Sequence, residues 1–157
     1  TSVQIMTKCG LRWDLEKGQY HFSWKNDDGS ESKIYKYSGK ESIMYECEQS
    51  LKRLQTDYID LYQIHWYDAT TPLDEAMEAL ARLQEQGKIR AAGVSNYTKE
   101  WMEEAEKTLK LASNQVPYSM VERKIEAELV PYCLQHRKGI LAYSPLQRGI
   151  LTGKITE

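Results

Sequence analysis

At 157 residues the chain has the length of one domain with one hydrophobic core, and 41% hydrophobic with 28% charged residues is the composition of a globular protein. A net charge of −2, with Lys and Arg spread along the chain, leaves no electrostatic footprint for nucleic acid and no basic face for a membrane. There is no secretory signal pattern and no apolar run near the roughly 18 residues of a membrane span. Cys9, Cys47 and Cys133 are widely spaced and form no C-x-x-C pair, which argues against zinc or dithiol chemistry and for a reduced, cytoplasmic setting.

In chain order, the first apolar run is 3–8 (VQIMTK), a predicted strand, so the sequence starts inside a strand pattern and without a Met. Residues 11–40 fit neither helix nor strand well. They hold the turn-like KNDDGSES among Trp13, Tyr20, Phe22, Trp24, Tyr35 and Tyr37, and a segment of that length is expected to be a lid, a binding loop or disordered. Ile43, Cys47, Leu51 and Leu54 then recur at helical spacing, predicting a helix over 41–54. The run 59–65 (IDLYQIH) reads as a strand that ends in an imidazole. Residues 72–88 open on Pro72, carry acids in the first turn and stop at Gly87, the signals of a helix. A strand over 91–95 (AAGVS), a helix over 97–109 that Ser95 or Asn96 could cap, and a strand over 114–119 (NQVPYS) follow. A helix over 125–139, with Pro131 as a kink or as its true first turn, precedes the last strand, 140–144 (ILAYS).

Strands alternating with helices predict a parallel sheet with right-handed crossovers. Nothing resembles G-x-G-x-x-G, which favours a (β/α)₈ barrel over a dinucleotide-binding open sheet. Five strands in a chain of this length, against the roughly 250 residues of a whole barrel, predict part of one, treated as a single domain over 1–157.

Ligands of parallel α/β folds bind at the carboxyl ends of the strands. Those ends hold Lys8, His65, Ser95-Asn96, Gln115 and Tyr143-Ser144, all able to hydrogen-bond or stack. Apart from Gln115, each has a plainer explanation taken singly: an exposed lysine, a satisfied core histidine, helix caps, a half-buried tyrosine. Five such ends together point to a site. His21 and His136 show no ligand spacing, so no metal is expected. After the last strand, YSPLQRGILTGK places Gly149, Gly153, Arg148 and Lys154 where backbone N–H groups and cations suit a pyrophosphate, although the spacing is not that of a P-loop.

With these residues assembled, the chain resembles the aldo-keto reductase family, and most of all the branch that includes the potassium-channel β-subunits. The motifs that carry it are IMTKCG, SLKRLQTDYIDLYQIHW, GKIRAAGVSNYT, SNQVPYSMVER and AYSPLQRGILTGK. The resemblance implies an α/β (β/α)₈ TIM barrel of which this chain covers about strands three to seven. It implies NADP(H) as cofactor and a small-molecule carbonyl as substrate. At matching positions it implies catalytic roles for Lys8 and His65, and carboxamide binding by Ser95, Asn96 and Gln115. Tyr143 would stack on the nicotinamide, with Ser144, Leu146, Arg148, Gly149 and Lys154 along the pyrophosphate. Trp13, Trp66 and Tyr67 would be substrate-pocket walls, with 11–40 a specificity loop. The family's remaining catalytic residues, an aspartate and the acid–base tyrosine in a D-T-A-x-x-Y-G type segment, have no match here. The expectation is therefore a reductase whose proton donor is absent from these residues, with a nucleotide-binding regulatory subunit or an inactive fragment as the alternatives.

Overall fold

The computed structural model describes residues 3–154. In chain order it contains β1 (Met6–Cys9), β2 (Leu11–Arg12), β3 (Gln19–Lys25), β4 (Glu31–Lys36), α1 (Lys40–Leu54) and β5 (Ile59–Ile64). These are followed by α2 (Leu73–Glu85), β6 (Ile89–Ser95), α3 (Lys99–Ala105), β7 (Ser113–Pro117), α4 (Leu129–Gln135) and β8 (Gly139–Tyr143). A 3₁₀ turn over Lys124–Glu126 precedes α4, and another covers Gln147–Thr152.

Five strands form one parallel sheet in the order β1-β5-β6-β7-β8. Among the described residues the order never reverses, so they contain no switch point of the doubly wound kind, and successive strands step the same way around as in a barrel. The helices pack side by side, α1 against α2 and α2 against α3. Beneath them Ile43, Cys47 and Leu51 of α1, and Met77, Leu80 and Leu83 of α2, are buried against Tyr62, Ile64, Ala92 and Val94. Each fully buried aliphatic side chain contributes about 2 kcal/mol, so this layer carries most of the stability. The opposite face of the sheet is the barrel-interior face. Cα pairing sets Lys8, Gln63, Gly93, Ser113 and Gly139 in one row across all five strands.

Helix ends follow their local chemistry. Pro72 precedes α2, whose chain leaves through Gly87 at φ +71°. Thr98, not Ser95 or Asn96, caps α3: its Oγ1 accepts from Trp101 N at 3.3 Å. Pro131 sits in the first turn of α4, where a missing N–H costs nothing. Both α3 and α4 are shorter than the spans 97–109 and 125–139 expected from the sequence.

Residues 11–40 differ from the irregular loop expected. They contain a second, antiparallel sheet of order β2-β4-β3, with the turn closed by Asn26 N donating to Ser30 O at 2.8 Å and Gly29 at φ +83°. The alternation of Tyr20, Phe22 and Trp24 is strand-like, but most of β3 is exposed, so no core pattern announces it. A register shift between Tyr20 and Phe22 marks a bulge at His21, and a bulge turns neighbouring side chains toward the same face.

Candidate active site

Lys8 and His65 come together as the period-two alternation predicts. Lys8 pairs in register with Gln63, and His65 follows two residues later on the same face, its N–H donating to Cys9 O at 2.9 Å. Both line a cavity of about 490 Å³ whose other walls include Arg12, Phe22 and Trp24 of the antiparallel sheet and Trp13, which follows β2. Burial, reinforced by the nearby charges of Lys8 and His21, lowers the His65 pKa to about 4, so the imidazole is neutral at neutral pH.

The ends of β6, β7 and β8 meet around Asn96, which adopts the left-handed conformation at φ +59° that asparagine tolerates. Its Nδ2 donates to His65 O at 3.2 Å and to Ser95 Oγ at 3.0 Å, and its Oδ1 accepts from the Tyr143 hydroxyl at 2.8 Å. Ser95 Oγ donates to Gln115 O at 2.8 Å, which also accepts from Asn96 N at 2.9 Å. Asn114, fully buried, holds the next residue from both sides by accepting from Tyr97 N and donating to Tyr97 O. His65, Ser95, Asn96, Gln115 and Tyr143 thus form one connected cluster. Burial raises the Tyr143 pKa, so its hydroxyl stays a donor.

Beyond Tyr143 the chain makes tight turns: Ser144, Gln147, Arg148, Gly149 and Gly153 all have positive φ. Several backbone N–H groups of this segment are satisfied inside it, with Gln147 N donating to Ser144 O at 2.9 Å. Leu146 O accepts from Gly149 N at 3.0 Å and from Leu151 N at 3.2 Å, which shapes the loop, while Arg148 and Lys154 add cations. Leu146 and Lys154 are exposed.

The three pocket aromatics separate. Trp13 lines the cavity. Trp66 packs against His21 of β3 with ring centroids 5.2 Å apart, joining the antiparallel sheet to the end of β5. Tyr67 stacks on Trp101 at 4.1 Å and meets Tyr97 edge-on, so it belongs to the packing against α3, not to the cavity wall.

Two residues that the sequence pattern did not single out organise the site. Gln63, 1% exposed, donates from Nε2 to Gln115 Oε1 at 3.2 Å. Its signal was a polar residue amid apolar strand neighbours, on the parity of His65. Asp68, 2% exposed, accepts from Ser38 N, Thr70 N, Thr70 Oγ1 and Thr71 Oγ1, tying the loop after His65 to the start of α1.

The sequence profile described as the aldo/keto reductase family matches residues 1–157. The aldo-keto reductase YhdN of Bacillus subtilis is 43% identical over 134 residues, covering 85% of this chain and 39% of that protein. The NADH-specific methylglyoxal reductase of Escherichia coli is 39% identical over 157 residues, covering 98% of this chain and 46% of that protein. Among solved structures, the glycerol dehydrogenase AKR11B4 from Gluconobacter oxydans superposes with a TM-score of 0.86 at 38% identity, over 98% of this chain and 44% of that one. An aldo/keto reductase from Klebsiella pneumoniae, solved with NADP and acetate, superposes with a TM-score of 0.67 at 44% identity, over 74% of this chain and 42% of that one. The chain spans less than half the length of each of these proteins.

Proposed function

The chain belongs to the aldo/keto reductase family, and from that premise we propose that the protein is an oxidoreductase that reduces an aldehyde or ketone with a nicotinamide cofactor, NADP(H). The observation that carries this reading is the bonding of Asn96 to both His65 and Tyr143 at one end of the sheet, with Lys8 on the same face. The residues fit a nicotinamide dinucleotide: Tyr143 offers a ring face, Gln115 an amide, and the exposed segment after β8 two cations, Arg148 and Lys154, for its phosphates. Bound there, the cofactor would supply hydride to a carbonyl carbon.

The chain's own residues do the rest. Neutral His65 donates a hydrogen bond to the carbonyl oxygen and orients it. The Lys8 ammonium stabilises the negative charge that grows on that oxygen. His65 binds its proton too weakly to act as an acid at neutral pH, so a separate group must protonate the oxygen. The resemblance assigns that step to a tyrosine beside an aspartate, in a segment not found among these 157 residues. Trp13, Phe22 and Trp24 would face the substrate, making the antiparallel sheet a specificity lid over a small carbonyl compound. The buried free thiols Cys9, Cys47 and Cys133 suit a reducing, cytoplasmic location.

NADP(H) is supported by the Klebsiella complex, whereas the Escherichia coli relative is named NADH-specific. The test therefore titrates the protein with NADPH and with NADH, following energy transfer from tryptophan to the dihydronicotinamide. The expected result is saturable binding, tighter for NADPH and weakened about tenfold when Arg148→Glu and Lys154→Glu remove the cations. Binding of neither dinucleotide refutes the reading; tighter NADH binding corrects the cofactor alone.

A further inference from the structure

Behind the amide of Gln115 lies a second one that the reaction as outlined does not use. Gln63 is buried near the carboxyl end of β5. An aliphatic side chain there would cost nothing, whereas a buried amide is tolerated only when hydrogen-bonded. Its Nε2 donates to Gln115 Oε1 at 3.2 Å, and its Oε1 accepts a longer bond from Ser113 Oγ at 3.5 Å. Gly93 lies between them in register, and a Cβ at that position would fall 2.7 Å from Ser113 Oγ and 3.1 Å from Gln63 Cγ. The absent side chain is what lets the Ser113–Gln63–Gln115 line cross the sheet. With Oε1 taken by Gln63, no described side chain takes up the Nε2 protons of Gln115.

We propose that Gln63 is a positioning residue for the nicotinamide end of the site: it holds the Gln115 amide with Nε2 turned to the mouth, as a donor to the carboxamide oxygen. The inference rests on the reading above, in which Gln115 meets that carboxamide. An amide side chain presents an oxygen on one side and an NH₂ on the other. Released from Gln63, Gln115 is free to turn its oxygen toward the carboxamide oxygen, which removes an attraction and adds a repulsion.

The experiment compares two probes on the protein and its variants: NADPH, and 2′-phospho-ADP-ribose, the same nucleotide without the nicotinamide. Gln63→Met should weaken NADPH about fivefold, the equivalent of one net hydrogen bond, and leave the fragment within about twofold. Gln115→Ala should show the same selective loss. Equal weakening of both probes by Gln63→Met, or of neither while Gln115→Ala is selective, overturns the positioning role alone. No selectivity in Gln115→Ala overturns the carboxamide reading and the inference with it. Gln63→Asn, which keeps a polar group beside Ser113 but shortens the arm, is read by the same criterion where Met disturbs folding, and fragment binding reports that the variant is folded.

Discussion

Replacing Lys8 by Met tests the electrostatics of the site directly. His65 titrates near 4, well below its ordinary 6.5, with burial the first cause, Lys8 the second and His21 the third. Lys8 and His65 are diagonal neighbours on adjacent strands, roughly 7 Å apart, and an effective dielectric of about 20–40 makes their like-charge repulsion about 1–2 kcal/mol. Removing it should raise the His65 pKa by about one unit, still short of 6.5 because burial remains. An NMR titration of the imidazole signals, assigned with His21→Asn and His136→Asn variants, measures both values. A native His65 pKa near 6.5, or no rise in Lys8→Met, would refute the reasoning. The sign of the pH dependence follows: the native state favours neutral His65, so its stability is complete above 6.5 and is lost as pH falls toward 4. With the ring half-buried, solvent screening keeps that loss to about 1–2 kcal/mol, and Lys8→Met should reduce it.

Three further outcomes can be read from urea unfolding curves. Gly93→Ala should destabilise by about 2–3 kcal/mol, because the new methyl meets Ser113 Oγ and Gln63 Cγ on a rigid sheet; a neutral result would mean that the interior row is loose. Asp68→Ala leaves Ser38 N, Thr70 N and Thr71 Oγ1 without an acceptor and should cost about 2–4 kcal/mol, with Asp68→Asn intermediate. Lys138, whose side chain is 2% exposed, is ion-paired to Glu106, so Lys138→Met should cost about 3 kcal/mol and a second change, Glu106→Gln, should restore part of it. Additive losses in that double variant would contradict the pairing.

The strand and helix alternation was legible because apolar periodicity follows burial, and the sheet and its helices are buried against each other. Strand ends were legible for the same reason: a parallel sheet sends every carboxyl end to one side, so listing what occupies them lists the mouth of the barrel. Lys8, His65, Ser95, Asn96, Gln115 and Tyr143 were found that way, and their neighbourhood in space followed from topology alone. The antiparallel sheet over 11–36 was not legible because its edge strand β3 is mostly exposed, so the alternating aromatics there carry no hydrophobic signature distinct from a polar loop. Tyr67 follows His65 and Trp66 directly in sequence, yet the turn after β5 sends its ring to Trp101.

What the sequence by itself determined is therefore the class of the fold and the identity of the residues at the strand ends, since both depend on local pattern and chain order. What only the tertiary structure decided is which partner each polar group takes. The Gln63 amide against Gln115, Asn96 between His65 and Tyr143, and Thr98 in place of Ser95 as the cap depend on register and on distances of about 3 Å between strands far apart in the chain. A hydrogen bond is decided over tenths of an ångström, whereas hydrophobic burial is not directional, so a residue pattern can encode the second without showing the first.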